Sequence, residues 1–381
     1  MGNAASGFSG FFRRLGGPQS VYAVADVIMR SSADLTLDPT SDAPPRRSNA
    51  PSGVVASVRP RTLVRRKLPS MVGCVIAKRY RITRAIGSGG MGTIFEAIDL
   101  RTGCEVALKA LTRAFGNVSA LKRLRREAET AVAVRSDYVC QVHYLGVEDG
   151  TPFIVMERLH GEPLRARLDA LGAMPPADAF AITCQLLDAL SATHATGVIH
   201  RDVKPSNIFM ISPRGERPRL KLIDFGLAKL LQPRHLELAG HITAPNNIPG
   251  TLHYLAPEQL LGAEVDQRVD VYAAGLVLYE MLSGNRAYPG DRFDVLVRRI
   301  IFEDPPCVSA LRDDLPPAID DVLSMALAKD PARRFLTAGA FRRALSAVCE
   351  EVLEPTAPAS FRDEALTLLD LGQLPTQLRE G

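Results

Sequence analysis

A glycine-rich hexapeptide lies between two segments whose residues alternate between apolar and polar. The hexapeptide follows the pattern G-x-G-x-x-G and consists of Gly87-Ser88-Gly89-Gly90-Met91-Gly92. The alternating segments, residues 80–86 and 93–97, are predicted to be β-strands. In a dinucleotide-binding fold this glycine pattern leads into a helix, whereas here it leads into a second strand. The pattern therefore predicts a glycine hairpin, which is either a plain flexible turn or a loop whose backbone N–H groups close over phosphates.

The periodicity of apolar residues along the remaining sequence divides the chain into a strand-rich part and a helix-rich part. Residues 105–110 are predicted to form a third strand, and residues 121–134 have the periodicity of a helix. After about residue 161 the periodicity is mainly helical. Helices are predicted over residues 177–196, 270–283, 291–302, 317–328 and 338–351. Strands first and helices second indicate an α+β fold with two unlike lobes.

Charge is distributed unevenly along the 381 residues, whose formal net charge is +4. Residues 1–79 contain 12 Lys and Arg against 4 Asp and Glu, and residues 80–381 contain 34 against 38. The first segment is rich in Ser, Pro, Gly and Ala, so we predict a basic, largely disordered leader. Residues 350–381 are a C-terminal tail, with one amphipathic helix predicted over residues 361–371. A net charge this small argues against a dedicated nucleic-acid-binding protein.

The apolar runs and the cysteines indicate the cellular compartment in which such a chain would function. The longest apolar run noted, from Val271 to Tyr279, is far shorter than the roughly 20 residues of a membrane-spanning helix. The N-terminus lacks the pattern of a secretory signal. Six cysteines are scattered without a C-x-x-C pair, which predicts reduced, mostly buried thiols rather than a zinc site. We therefore expect a cytoplasmic protein without a transmembrane segment.

A lysine on the third strand needs a partner for its charge. Lys109 ends the apolar stretch Val106-Ala107-Leu108-Lys109, and Glu127 lies on the helix predicted next. Taken alone, Glu127 is as well explained by a solvated charged helix face, because four basic residues occur among the five that precede it.

Three motifs in the second half of the chain contain further charged and amide side chains. They are His200-Arg201-Asp202-Val203-Lys204-Pro205-Ser206-Asn207, Asp224-Phe225-Gly226 and Ala256-Pro257-Glu258. Together with the glycine hairpin and Lys109, this ordered set resembles the protein kinase family, in particular bacterial serine/threonine kinases of the Hanks type. The resemblance covers about residues 80–349. It implies a two-lobed fold, with a small mainly-β N-lobe containing one key helix over residues 80–156 and a larger mainly-α C-lobe over residues 161–349.

The resemblance also implies which residues act in phosphoryl transfer. Asp202 would accept the proton of the attacking hydroxyl, and Lys204 would neutralise the migrating phosphoryl group. Lys109 would contact the ATP phosphates and would be held in place by Glu127. Thr251 would brace Asp202 and Lys204, and a lysine at position 204 is typical of the serine/threonine branch.

ATP and Mg²⁺ are the implied cofactors. Asp224 and Asn207 are the expected Mg²⁺ ligands, since Mg²⁺ prefers hard oxygen ligands and substrate phosphates. The backbone of Glu157 and Leu159 would supply hydrogen bonds to the adenine; we call this segment, residues 157–159 between the two lobes, the hinge. The full expected nucleotide site is Ile86, Gly87, Ser88, Gly89, Gly90, Met91, Gly92, Ile94, Ala107, Lys109, Met156, Glu157, Leu159, Phe209 and Asp224.

Further contacts implied by the resemblance concern the scaffold and its regulation. Glu258 should pair with Arg334, and Asp270 should accept hydrogen bonds from the backbone of the catalytic loop. Arg201 is expected to face a phosphorylated residue of the activation segment. Since Thr251 already has a role, we predict autophosphorylation at Thr243.

The implied function is that of a signalling kinase that transfers the γ-phosphoryl group of ATP to Ser and Thr hydroxyls of protein substrates. The alternatives are a pseudokinase scaffold, which would lack some of the charged motif residues, and a small-molecule phosphotransferase of related fold. Nucleic-acid partners are not expected. The first six residues match the N-myristoylation pattern at Gly2. Because the motifs resemble those of bacterial kinases, and bacteria generally lack N-myristoylation, we interpret that match as accidental. Membrane association through the N-terminus is the alternative.

Overall fold

The structure is a computed structural model that describes residues 71–89, 92–111, 134–148, 151–212, 214, 216–224, 250–290 and 292–353. Several predictions fall outside these residues. They are the leader up to residue 70, nearly all of the helix expected over residues 121–134, and the tail after residue 353.

A six-stranded antiparallel sheet forms the N-terminal part, in the order β1-β2-β3-β4-β6-β5. Its strands are β1 Val75–Ile76, β2 Tyr80–Gly89, β3 Gly92–Asp99, β4 Glu105–Leu111, β5 Val142–Glu148 and β6 Thr151–Glu157. The three strands predicted from alternation are confirmed, and each is longer than expected. Residues before Tyr80 also join this sheet, because Val75 pairs with Arg81 and the Gly73 N–H donates to the Ile82 carbonyl at 2.9 Å.

One face of this sheet forms the core of the small lobe. The alternation places Tyr80 and Ile82 of β2 on the buried face, together with Phe95 and Ala97 of β3 and Leu108 of β4. These side chains are almost completely excluded from water, which is the main stabilising contribution to the lobe. The opposite face is left for polar and functional side chains.

A second, three-stranded sheet begins the larger lobe. It consists of β7 Glu162–Pro163, β8 Ile208–Met210 and β9 Leu220–Leu222, in that order and antiparallel. Strand β8 follows the 3₁₀ turn Pro205–Asn207, and β9 leads directly to Asp224. Two of the motifs therefore meet at one edge of this small sheet.

Helices make up most of the larger lobe. They are α1 Leu164–Leu171, α2 Pro176–Ala195, α3 Pro257–Leu260, α4 Arg268–Ser283, α5 Phe293–Phe302, α6 Ala318–Ala326 and α7 Ala338–Leu353. The five predicted helices are confirmed to within two residues at each end, and α1 and α3 were not predicted individually. Pro176 at the first helical position starts α2, as its fixed φ and missing N–H favour.

Helix α4 lies at the centre of this lobe. Every residue from Val269 to Leu282 is buried, which explains why the apolar run of the sequence shows no polar face. A Cβ at Gly275 would lie 3.0 Å from the Cβ of Ala326, so glycine lets α4 approach the end of α6 closely. Within the described ranges, no helix is long and apolar enough to cross a membrane.

The six cysteines are all free, but the expectation that most are buried was wrong. Cys140, Cys184 and Cys349 are buried, whereas the other three, Cys74, Cys104 and Cys307, are exposed. The exposed three lie in connections just before β1, just before β4 and between α5 and α6, where periodicity carries no information about burial.

Candidate active site

A lysine from the small lobe meets an aspartate from the large lobe at the centre of the site. The Lys109 Nζ atom lies 2.6 Å from Asp224 Oδ1. Lys109 is on β4, opposite Ile94 of β3, and only 8% of its side chain is exposed. A charge buried to this degree requires a partner. The expected partner Glu127 lies outside the described residues, and its pairing with Lys109 stays a prediction.

Asn207 and Asp224 are brought together by the register of the small sheet. Ile208 of β8 pairs with Leu222 of β9, and one step further the Ile223 N–H donates to the Asn207 carbonyl at 2.9 Å. Asp224 is the next residue. Asn207 therefore precedes β8 and Asp224 follows β9, so the two side chains that the resemblance assigned to a metal lie at the same end of two adjacent strands.

Three polar side chains of the catalytic-loop motif form a connected group. Lys204 Nζ lies 2.9 Å from Asp202 Oδ2. The Asn207 side-chain amide donates to the Asp202 carbonyl at 2.8 Å and to its Oδ2 atom at 3.0 Å. All three side chains are largely excluded from water, so their mutual hydrogen bonds hold the Asp202 carboxylate in one orientation.

A buried aspartate of α4 holds the backbone of the same loop. Asp270 accepts from the His200 N–H at 2.8 Å and from the Arg201 N–H at 2.7 Å, as expected from the sequence. His194 Nε2 lies 2.8 Å from the same carboxylate. Arg201 has a left-handed backbone with φ of 63°, which costs a non-glycine residue about 1–2 kcal/mol. The two bonds from Asp270 offset this cost and keep the loop in its shape.

The imidazole of His200 connects the loop to the strand that precedes Asp224. Its Nδ1 atom accepts from the Asp202 N–H at 3.3 Å, and its Nε2 atom lies 3.0 Å from the Ile223 carbonyl. Asp224 itself has φ of 58°, a second left-handed residue at the site. Strained backbone of this kind persists where surrounding contacts determine it, and both examples here flank the polar group.

The Glu258–Arg334 pair predicted from the sequence is confirmed. Arg334 donates to both carboxylate oxygens, at 2.6 and 2.8 Å, and both side chains are almost fully buried. The Arg334 guanidinium also stacks on the Tyr272 ring, 4.6 Å from its centroid. This contact ties α3, which follows the 3₁₀ turn Gly250–Tyr254, to the interior of the large lobe.

Apolar side chains lie around Lys109 on the same face of the sheet. Ala107 of β4 lies opposite Met156 of β6, and Ile94 of β3 lies opposite Lys109. The others expected at an adenine site are Ile86, Leu159 and Phe209, all partly exposed. An apolar wall of this type suits a flat, weakly polar base.

The glycine hairpin connects β2 to β3 beside Ile94. Gly87 and Ser88 of β2 pair with Ile94 and Thr93, and Gly89 pairs with Gly92. A Cβ at Gly92 would lie 2.1 Å from the Ala110 carbonyl oxygen, so only glycine fits there. Gly90 and Met91 lie outside the described residues.

Two further expected site features are only partly covered. The backbone of Thr251 belongs to the 3₁₀ turn Gly250–Tyr254, and the expected bracing contact of its side chain stays a prediction. Thr243, the expected phosphorylation site, lies outside the described residues.

Side chains at the hinge were not identified from the sequence as functional. Glu157 accepts from Lys221 at 2.9 Å and from the Gln141 N–H at 2.7 Å. Its neighbour Arg158 donates to Glu96 Oε2 at 3.0 Å. A lysine inside the apolar segment that precedes Asp224 was the available signal for the first contact, since such a lysine needs a carboxylate partner.

The family of protein kinase domains matches residues 80–345 of this chain. Serine/threonine-protein kinase PknA of Mycobacterium tuberculosis is 38% identical over 283 residues, which cover 73% of this chain and 63% of PknA. PknL of the same species is 36% identical over 282 residues, which cover 74% of this chain and 68% of PknL. The matched region thus spans slightly less than two thirds of the length of PknA.

The fold agrees with this comparison. The crystal structure of the Mycobacterium tuberculosis PknI kinase domain superposes with a TM-score of 0.57 at 30% identity, covering 72% of this chain and 98% of the PknI chain. The two-lobed fold expected from the motifs is therefore confirmed, with a curled antiparallel sheet in one lobe and helices in the other. On the match to residues 80–345 and the similarity to PknA, this chain belongs to the protein kinase family.

Proposed function

We propose that the chain is a serine/threonine protein kinase that transfers the γ-phosphoryl group of ATP to hydroxyl groups of protein substrates. The observation that carries the proposal is the convergence of Lys109, Asp202, Lys204, Asn207 and Asp224 on one cleft. These residues come from segments up to 115 positions apart in the chain. They form two bonded groups, Lys109 with Asp224 and Asp202 with Lys204 and Asn207. The backbone bond from Ile223 to Asn207 holds the two groups side by side.

Asp202 is placed to handle the proton of the acceptor hydroxyl. Its Oδ2 atom is held by Lys204 and Asn207, so the carboxylate has a defined direction. A positioned carboxylate of this kind orients the attacking oxygen and accepts its proton as the new bond forms. Lys204, 2.9 Å away, stabilises the negative charge of the phosphoryl group in transit.

The residues at the sheet edge fit Mg²⁺. Asp224 offers a carboxylate, and Asn207 offers its amide oxygen because its amide nitrogen donates to Asp202. Among the described residues, no group of three or more His, Cys, Asp or Glu side chains could hold a metal. Two protein ligands agree with Mg²⁺, which takes its remaining ligands from water and phosphates. When bound, the metal neutralises charge on the β- and γ-phosphates.

Lys109 binds the α- and β-phosphates in this proposal. Its side chain is 8% exposed, its ammonium contacts the proposed metal ligand Asp224, and it lies opposite Ile94, two residues after the glycine hairpin. Nucleotide binding would transfer the lysine from Asp224 to the phosphates and release the carboxylate for the metal. Glu127, which lies outside the described residues, would then hold the lysine.

The adenine would lie between Ile86, Ile94 and Ala107 on one side and Phe209 on the other, with Met156 at the back. The backbone groups of Glu157 and Leu159 lie at the end of β6 and just after it, where the chain passes between the lobes. Peptide groups at this position are suited to hydrogen bonds along one edge of a base.

The kinase domain is proposed to extend over residues 80–349, between the leader 1–79 and the tail 350–381, although β1 of the leader pairs with β2 and α7 ends at Leu353. We keep the cytoplasmic location as part of the proposal, since the three exposed free thiols suit a reducing compartment. Autophosphorylation at Thr243 belongs to the same proposal and is tested by mapping phosphosites on the protein after incubation with ATP.

The test is incubation of the full chain with Mg²⁺ and γ-labelled ATP, with casein and myelin basic protein as acceptors and with glycerol and choline as small-molecule controls. We expect label on phosphoserine or phosphothreonine of protein, and none on the small molecules. Label only on small molecules would favour a phosphotransferase of related fold. Binding of ATP without transfer to any acceptor, itself included, would favour a pseudokinase.

A further inference from the structure

The hinge and the glycine hairpin are connected by an ion pair that the motifs do not include. Arg158 Nε donates to Glu96 Oε2 at 3.0 Å. Arg158 lies between Glu157 and Leu159, the two residues whose backbone is proposed to bind the adenine. Glu96 lies on β3, two residues after Ile94, which is expected to contact the adenine. The pair therefore joins β3, on one side of the proposed base, to the hinge segment along its edge.

The sheet register places Glu96 on the face of the sheet that lines the site. Glu96 is directly opposite Ala107 of β4, and Ala107 is directly opposite Met156 of β6. Side chains that face each other across neighbouring antiparallel strands lie on the same side of the sheet. Lys109 and Ile94 are also on that side, because side chains two residues apart on a strand share a face.

The second contact of Arg158 is with the hinge backbone itself. Its Nη1 atom donates to the Leu159 carbonyl oxygen. One guanidinium thus contacts Glu96 of β3 through Nε and the hinge backbone through Nη1. Its rigid planar geometry fixes the relative direction of the two hydrogen bonds. Only 15% of the Arg158 side chain and 13% of the Glu96 side chain are exposed, so water screens the pair less than a surface ion pair.

A second arginine provides an internal comparison. Arg84 of β2 also binds Glu96, with Nε 3.0 Å from Oε1 and Nη2 2.7 Å from Oε2. The guanidinium groups of Arg84 and Arg158 hold the pKa of Glu96 at about 2. Arg84 is 60% exposed and connects Glu96 only to the neighbouring strand of the same hairpin. It shares the carboxylate with Arg158 but does not reach the hinge.

We propose that Glu96 and Arg158 are positioning residues for nucleotide binding, which set the spacing between the glycine hairpin and the hinge and orient the Leu159 backbone toward the base. The inference rests on the proposed function, since it takes a nucleotide as the ligand of this cleft. Neither residue touches the phosphates or the acceptor. Their loss should therefore weaken nucleotide binding and leave the transfer step nearly unchanged.

The test measures binding of the non-hydrolysable analogue AMP-PNP with Mg²⁺ to the full chain by titration calorimetry, for the wild type, Arg158→Met and the matched control Arg84→Met. Arg158→Met removes the guanidinium from both Glu96 and the Leu159 carbonyl, and the loss of such preorganising contacts corresponds to a weakening of about three- to tenfold. Arg84→Met should stay within about twofold, because an exposed ion pair within one hairpin contributes little. In a Glu96→Gln background, Arg158→Met should weaken binding less than it does in the wild type, because the ion pair is already lost and only the contact with the Leu159 carbonyl remains to be removed.

Kinetics separate positioning from general damage. Arg158→Met should raise KM for ATP by the same factor with kcat nearly unchanged, which is the signature of lost ground-state binding. Equal affinities of wild type and Arg158→Met would overturn the proposal, as would equal losses for Arg84→Met and Arg158→Met. A wild type that binds AMP-PNP but transfers no phosphate would refute the proposed function while leaving the role of Arg158 testable by binding alone.

Discussion

Substitution of Arg334 by methionine should destabilise the large lobe severely. Arg334 is completely buried and donates to both oxygens of Glu258, which is 3% exposed. It also donates to the Ala328 carbonyl at 2.7 Å and stacks on Tyr272. Methionine fills much of the volume but leaves the Glu258 carboxylate buried without its partner.

The expected magnitude follows from this burial. Breaking a buried ion pair by removing one partner costs about 3–5 kcal/mol, because the remaining charge is uncompensated. For a domain of this size the melting temperature should fall by about 10 °C. In the double variant Arg334→Met with Glu258→Met, the loss should be smaller than the sum of the two single losses, since the second substitution removes a carboxylate that is already unpaired.

The assay is urea unfolding followed by circular dichroism at pH 7, with Arg292→Met as the matched control. Arg292 pairs with Asp294 at 2.7 Å, but 69% of its side chain is exposed, so its loss should change stability by less than about 0.5 kcal/mol. If Arg334→Met lost less than about 1 kcal/mol, or no more than Arg292→Met, the buried pair would not be a main support of the lobe.

Three further predictions concern the catalytic loop held by Asp270, the stability of the fold at low pH and the reactivity of the cysteine thiols. Asp270→Asn places an amide N–H against one of the two backbone N–H donors, so the free energy of unfolding in urea should fall by about 1–3 kcal/mol. The kcat should fall more than the KM for ATP changes. An unchanged kcat would contradict the role of Asp270 in holding the loop. Arg79 holds the pKa of Asp99 at about 2, below the unfolded value; the stability it contributes is present above pH 3.8 and is lost as pH falls toward 2. The melting temperature of Asp99→Asn should therefore fall less steeply than that of the wild type between pH 3.8 and pH 2. The same dependence on pH in both proteins would contradict this prediction. Titration with Ellman's reagent should show three fast thiols, Cys74, Cys104 and Cys307, and three that react only on unfolding, because burial also raises the pKa of the others.

Much of the architecture could be predicted from periodicity. Strands such as β3 and helices such as α2 have long regular patterns, and their burial follows the pattern closely. The proximity of Asn207 and Asp224 could be expected only through the family resemblance, since it depends on the pairing of β8 with β9. Neither strand is longer than three residues, which is too short for alternation to reveal the register.

The contacts that were missed depend on side-chain reach across elements. Nothing in the sequence around Arg158 indicates that its guanidinium crosses to Glu96, 62 residues earlier. The contact requires the register of three strands and the path of the hinge, which are known only once the sheet is assembled. The exposure of Cys307 likewise depends on how the α5–α6 connection lies on the surface.

The Asp202 carboxylate is proposed to accept the proton of the acceptor hydroxyl in a nucleotide-binding site. The most direct measurement compares wild type and Asp202→Asn in transfer of labelled phosphate to protein under single turnover, with AMP-PNP affinity measured in parallel. We predict that transfer falls by about 10²–10⁴-fold while affinity changes by less than about threefold. Equal transfer by the two proteins would contradict the account.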